Sequence, residues 1–171
     1  MSEEKEVDKF DKEFIENLKN SERSDIAILK RACGENLENA KRAIYVFYKK
    51  LPGPLKYKQD EEIYFLVATL FGYNNYSFTG DFGKTMRLVR NRAGTESINA
   101  RFAALLDSDF DIVGNIYYGG GALAFKLRQC IKLANSHEIG VDWYQLLKDL
   151  KFWTHPSKFI KKRWARSYFF D

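Results

Sequence analysis

The apolar residues of this chain recur at helical spacing in one segment after another. In the first segment, Val7, Phe10, Phe14 and Leu18 follow one another with acids and lysines between them. This spacing places apolar side chains on one face of a helix and predicts an amphipathic helix that buries that face. Similar stripes recur towards the C-terminus, and no alternation typical of a strand extends beyond a few positions. The sequence therefore predicts an all-α fold, a compact helical bundle.

The length of the chain bounds how this bundle is organised. At 171 residues it has the size of one domain and can bury most of its apolar surface. We expect residues 1–171 to form a single helical domain. A glycine triplet at 119–121 provides flexible backbone before the next helical stripe. If the bundle has two lobes, the hinge between them is expected near residues 114–121.

Several classes of protein are disfavoured. No apolar run reaches the length of a signal peptide or a membrane-spanning helix, which favours a cytoplasmic protein without a membrane partner. Cys33 and Cys130 lie outside any metal-ligand spacing and are expected to be buried, reduced thiols. His137 and His155 lie on different segments, which does not favour a catalytic base or a metal ligand. We predict no catalytic residue, metal or cofactor, and an enzyme is the least favoured class.

Charge is segregated along the sequence. Residues 1–20 carry a net charge of −3, whereas residues 82–106 and residues 158–171 each carry +4. Two basic segments far apart in sequence can form one surface that attracts polyanions.

The C-terminal segment KFIKKRWARSYFFD, residues 158–171, combines cations with aromatic residues. On a helix, Ile160, Trp164 and Tyr168 form one stripe that packs on the body, and the five cations are expected to face solvent. Such a rigid cationic helix is suited to following a phosphate backbone. A solvated helix face without a ligand carries the same residue types, so this segment alone does not distinguish a nucleic-acid-binding helix from a solvated one. The repeated imbalance of sign favours nucleic-acid binding.

The second half of the chain resembles a known family. VDW at 141–143, LLKDL at 146–150, Trp153 and RWARSYF at 163–169 are similar in order and spacing to the C-terminal signature of the CasB family. That family is the small subunit of Cascade, the type I-E CRISPR surveillance complex. Upstream, GDFGKTMRLVR resembles the family's glycine-flanked turn and basic helix, and ARFAALLDSD resembles its arginine-phenylalanine helix.

The chain departs from the family pattern in places. Ala100 stands where a second arginine is frequent, Ser167 stands where an aspartate is usual, and the glycine triplet is not part of the pattern. The tryptophans match positions that we expect to pack in the core rather than to stack on bases: Trp143, Trp153 and Trp164.

The resemblance implies an all-α protein without catalytic activity, present in two copies in a crRNA-guided complex. Its partners would be other Cascade subunits, the crRNA, target DNA and a second copy of itself. In such complexes guide pairing reads the sequence, whereas protein contacts the backbone. The protein would then bind the crRNA–target heteroduplex and the displaced strand and stabilise the R-loop. A stand-alone RNA- or DNA-binding helical protein is the alternative. The candidate nucleic-acid-binding residues are Arg23, Lys30, Arg31, Lys84, Arg87, Arg101, Lys162, Arg163 and Arg166.

Overall fold

The computed structural model describes residues 2–170, and within this range the chain forms nine α-helices and one short β-hairpin. The predicted helical fold class is confirmed. The helices are α1 Glu3–Lys19, α2 Arg23–Arg31, α3 Arg42–Lys50, α4 Glu61–Phe71, α5 Phe82–Ala93, α6 Thr95–Leu106, α7 Ala122–Ser136, α8 Trp143–Lys151 and α9 Phe159–Phe169. The antiparallel strands are β1 Asp111–Val113 and β2 Ile116–Tyr118.

Helix α4 forms the centre of the core. Its residues from Glu62 to Leu70 are all buried, and it packs against α2, α7 and α8. An almost wholly apolar sequence explains this position, because a helix that is apolar on every side must be covered on every side. Most of the other helices bury one stripe of apolar side chains in the core, as their spacing predicts.

The three tryptophans lie in the core, which confirms that they are packing residues. The relative exposures of Trp143, Trp153 and Trp164 are 4%, 1% and 0%. The Nε1 atom of Trp153 donates to the carbonyl of Ser108 at 2.9 Å, and that of Trp164 donates to Asp149 at 2.7 Å. Both indole N–H groups are thus satisfied inside the protein, as buried polar groups require.

The two basic segments of the sequence meet where α5 crosses α9. A Cβ atom on Gly83 would lie 2.1 Å from the carbonyl oxygen of Trp164, so only glycine allows this approach of the two backbones. The predicted stripe of α9 is confirmed, since Ile160, Trp164 and Tyr168 are all buried. The crossing places the cations of α5 beside those of α9.

The glycine triplet follows the hairpin and is held by side chains from two other segments. The amide of Gly119 donates to Glu62 at 3.1 Å, and the amide of Gly120 donates to Asn36 at 3.0 Å. Burial raises the pKa of Glu62, although the amides of Gly119 and Leu37 oppose the shift by binding its carboxylate. A lobe hinge at residues 114–121 stays a prediction.

Candidate nucleic-acid interface

Helix α5 fixes the C-terminal end of α9. The Nη1 atom of Arg87 donates to the carbonyls of Ser167 and Phe170 at 3.0 and 3.1 Å. The guanidinium of Arg90 lies 4.6 Å from the ring centroid of Tyr168. The last carbonyls of a helix lack intrahelical donors and carry partial negative charge, so a guanidinium stabilises this end. Arg87, a predicted nucleic-acid ligand, therefore also holds the tail helix in place.

The prediction that all five tail cations face solvent is wrong for Arg163. The Nε atom of Arg163 lies 3.4 Å from Oδ2 of Asp81, and its Nη2 atom forms an ion pair with Asp149, whose side chain is 2% exposed. Burial favours the neutral form of Arg163, but Asp149 and Asp81 outweigh it and hold the pKa of the guanidinium above its ordinary value. The reason for the error is that position 163 borders the buried stripe of α9. The nucleic-acid-binding role of Arg163 stays a prediction.

Lys161 also departs from the expected orientation. Its side chain is 13% exposed, and its Nζ atom lies 2.9 Å from Oδ1 of Asp109 and 5.1 Å from the ring centroid of Trp153. The carboxylate of Asp109 thus offsets the positive charge of Lys161. Two of the five tail cations are therefore structural neighbours of carboxylates.

Asp81 links the start of α5 to α9. Its Oδ1 atom accepts from the amide of Lys84 at 3.0 Å, which caps the helix, and its Oδ2 atom accepts from the hydroxyl of Ser167 at 2.6 Å. Position 167 is one of the departures from the CasB pattern. A serine suits this contact because it donates a hydrogen bond, whereas an aspartate here would bring two carboxylates together.

The outer face of α9 and the first turn of α5 expose predicted cations. Lys84, Lys162 and Arg166 are exposed, and within residues 2–170 none of the three forms an ion pair. Phe169 and Phe170, at the end of α9, are 57% and 70% exposed. Cations beside exposed aromatic rings form the kind of surface that binds single strands without regard to sequence.

The other predicted residues lie on α2 and α6. Arg23 and Arg31 are exposed on α2, and Lys30 is half-buried between them and the core. On α6, which packs against α7, Arg101 is exposed. That all nine residues share one face stays a prediction.

Sequence reasoning missed the cations of α7, which are Lys126, Arg128 and Lys132. The Nη1 atom of Arg128 donates to the carbonyl of Cys33 at 3.3 Å, so α7 borders the end of α2 as well as α6. The sequence does indicate that α7 is basic, because residues 122–136 contain three cations and no acid. The apolar stripe of α7, however, predicts only which side of the helix is buried.

Positive charge without a carboxylate partner is present on α2, α6 and α7, as it is at Lys84, Lys162 and Arg166. Within residues 2–170, no cation of these three helices takes part in an ion pair. The single acid of α2, Asp25, instead lies 2.7 Å from the Nζ atoms of both Lys49 and Lys50 on α3. Cations without a carboxylate partner keep their charge available for an external anion. We call the cations of α2, α6 and α7, together with Lys84, Lys162 and Arg166, the candidate interface.

Between residues 2 and 170, no group of three or more His, Cys, Asp and Glu side chains is arranged to hold a metal ion. None of the helices in that range has the length and apolar character needed to cross a membrane.

A helical bundle with this distribution of charge is suited to binding polyanions. Residues 25–169 match the family model described as CRISPR-associated protein Cse2, and the chain belongs to that family. This match confirms the resemblance to the CasB family that the sequence motifs indicate.

Known proteins give the same result. The chain is 34% identical to CRISPR-associated protein Cse2 of Thermus thermophilus over an alignment of 116 residues, which covers 66% of this chain and 59% of that relative. A solved Cse2-family structure from the same species has a TM-score of 0.74 and 25% identity, covering 93% of this chain and 97% of that one. A chain of a CRISPR RNA-guided surveillance complex has a TM-score of 0.74 at 16% identity, covering 95% and 92%, which shows a shared fold.

Proposed function

We propose that this protein is the non-catalytic small subunit of a type I-E Cascade complex. It binds the phosphate backbone of the crRNA–target heteroduplex and of the displaced DNA strand, and so stabilises the R-loop. Its partners are the other Cascade subunits, the crRNA, target DNA and a second copy of itself, and it acts in the cytoplasm.

One observation carries this proposal: the cations of α2, α6 and α7 have no carboxylate partner within residues 2–170. Among these helices, α7 carries three cations and no acid, and a face of one sign attracts polyanions. Lysine and arginine on rigid helices contact phosphates rather than base edges. A complex in which a guide RNA reads the sequence needs only that kind of contact from its protein subunits.

Membership of the Cse2 family and the shared fold with a chain of a CRISPR RNA-guided surveillance complex support the assembly part of the proposal. The exposed end of α9 supports the binding part, because Lys162 and Arg166 lie about one helical turn apart beside Phe169.

The test is co-expression of the tagged chain with the remaining subunits and a crRNA. We expect the chain to purify in an assembly that contains crRNA, and we expect permanganate footprinting to detect an open target strand. Combined alanine substitution of Lys162 and Arg166 should leave the mass of the assembly unchanged and reduce strand opening. The matched control is Lys12→Ala together with Lys148→Ala, which removes two charges that pair with Asp8.

A chain that stays outside every assembly, yet binds RNA or DNA alone, would instead establish the stand-alone binding protein. Its affinity should then fall with salt, at a slope of roughly −3.5 to −4.5 in log–log form if five cations contact phosphates. A flat response to salt would contradict both forms of backbone binding.

A further inference from the structure

Two helices, α2 and α7, bring cations together around Tyr73, which lies just after a third helix, α4. The Nζ atom of Lys30 on α2 is 4.7 Å from the ring centroid of Tyr73, and the Nζ atom of Lys132 on α7 is 5.9 Å from it. Arg128 lies one turn before Lys132 on the same helix. The three elements are far apart in the chain, so the tertiary fold, not sequence proximity, brings Lys30 and Lys132 to Tyr73.

The position of Lys30 is fixed by its packing. A Cβ atom on Gly72 would lie 2.6 Å from Cδ of Lys30 and 2.5 Å from Cγ2 of Ile26, so the stem of Lys30 occupies the space that a larger residue would need. The hydroxyl of Tyr73 donates to the carbonyl of Lys30 at 3.2 Å and joins the ring to α2. The ammonium group of Lys30 is therefore held at one place rather than swinging on a free stem.

Arg128 is fixed in a similar way. Its Nη1 atom donates to the carbonyl of Cys33 at 3.3 Å, next to the C-terminal end of α2, and its guanidinium carbon lies 5.8 Å from the ring centroid of Phe125. The groups that hold Lys30, Arg128 and Lys132 are thus aromatic rings and a carbonyl oxygen. These groups orient a cation without cancelling its charge.

A bound anion would stabilise this arrangement. Like charges on neighbouring helices repel one another, and the attraction of an aromatic ring offsets only part of that repulsion. Within residues 2–170, none of Lys30, Arg128 and Lys132 has an ion-pair partner. By contrast, Arg163 on α9 is compensated by Asp81 and Asp149.

We propose that Lys30, Arg128 and Lys132, oriented by Tyr73, form a binding site for consecutive phosphates of a nucleic-acid strand, distinct from the outer face of α9. Arg128 and Lys132 are separated by about 6 Å along the axis of α7, which is of the same order as the spacing of phosphates in a strand. A row of cations at this spacing suits a strand better than a single small anion. The site rests on the proposed function and assigns it a second contact point on each copy of the protein.

The test uses the full chain and a fluorescent oligothymidylate, with affinity measured by anisotropy over a range of salt. Lys30→Ala and Lys132→Ala should each weaken binding by roughly three- to tenfold and make the salt slope shallower by about 0.7. Lys12→Ala is the matched control, because it also removes one lysine charge but from α1, where Lys12 lies 3.1 Å from Asp8. Its affinity and slope should match those of the wild type.

Tyr73→Leu separates an ordered site from diffuse positive charge. It leaves net charge unchanged and removes the ring that both ammonium groups face, so we expect weaker binding, whereas Tyr73→Phe keeps the ring and should bind nearly as well as the wild type. Thermal melting checks that Tyr73→Leu remains folded. If it does not, Lys132→Gln still tests whether this exposed cation contributes to binding, although it also removes one charge.

The results of these assays distinguish refutation of the second site from refutation of the proposed function. If the wild type binds, Arg166→Ala weakens binding, and Lys30→Ala and Lys132→Ala behave like Lys12→Ala, the second site is refuted and the proposed function stands. If the wild type binds neither the oligonucleotide nor, within an assembly, the target DNA, both proposals are overturned. If an acidic peptide competes better than an oligonucleotide of equal charge, the ligand is not nucleic acid and the site as proposed is refuted.

Discussion

Substituting each of two arginines on α9 with alanine should separate a structural cation from a ligand-binding one. Arg163 and Arg166 belong to the same basic motif and differ in surroundings. Arg163 forms an ion pair with the buried Asp149 and lies 3.4 Å from Asp81, whereas Arg166 is exposed. Arg163→Ala should lower the free energy of unfolding, and Arg166→Ala should leave it unchanged within error.

The loss of unfolding free energy in Arg163→Ala depends on which contacts Asp149 retains. Removing one partner of a fully buried ion pair costs about 3–5 kcal/mol. The side chain of Arg163 is 35% exposed, so water screens part of the interaction. Asp149 also retains hydrogen bonds from Trp164 at 2.7 Å and from Gln145 at 2.8 Å. We therefore expect a loss of about 2–3 kcal/mol, which lowers the melting temperature by roughly 4–12 °C for a chain of this size.

Urea unfolding followed by circular dichroism at pH 7 gives the comparison, with equal m-values showing that the two transitions are alike. A double-mutant cycle with Asp149→Asn should give a coupling energy well above that of Arg166 with the same residue. If Arg163→Ala is as stable as the wild type, the assignment of Arg163 as structural is refuted. Equal destabilisation by both would show that the exposed face of α9 is structural too.

Three further predictions concern packing and burial. Gly83→Ala should destabilise the protein by about 2–3 kcal/mol in urea unfolding, because the added methyl group meets the carbonyl of Trp164 at 2.1 Å; a neutral result would show that the α5–α9 crossing is loose. Trp164→Ala should cost about 3–5 kcal/mol and release the tail to proteolysis, and a stable variant would contradict its burial. Burial raises the pKa of Cys130 to about 12, so its thiol should resist iodoacetamide at pH 8.5 until the protein unfolds. Because the folded pKa lies above the unfolded one, this thiol's stabilising contribution should be lost as pH rises from about 8.5 towards 12, and Cys130→Ala should remove that part of the pH dependence.

The helical fold was predictable because its signal is local. Stripes such as Ile160, Trp164 and Tyr168 record in a few residues which side faces the core, and all three are buried. The hairpin was missed because its strands have three residues each, too few for alternation to be visible. The two-residue Gly114-Asn115 loop between apolar residues was the available signal.

The candidate site was only partly predictable, because charge compensation depends on contacts between distant residues. The sequence shows that Arg163 is a cation, but Asp81, which lies 82 residues away, partly determines whether that charge is available. Likewise, Lys30, Tyr73 and Lys132 come from three separate segments. Net charge of a segment therefore indicates where a polyanion could bind, whereas the pairing of each cation decides which residues bind it.

Whether Arg101 and Arg166 act on one bound strand can be tested by reversing each charge. The helices that carry them meet, since the ring of Phe102 stacks on that of Tyr168 with centroids 4.2 Å apart, and the hydroxyl of Tyr168 donates to Asn99. Both arginines are exposed, and within the described range neither forms an ion pair.

Arg101→Glu and Arg166→Glu should each leave the mass of the assembled complex unchanged and reduce strand opening in a footprinting assay, because each places a negative charge against phosphate. If both contact the same strand, the double variant should lose less than the sum of the single losses, since a strand already released at one end gains little from the other contact. Strictly additive losses would show that the basic segments at 82–106 and 158–171 act separately. A loss for Arg166→Glu alone would show that α6 lies outside the path of the strand.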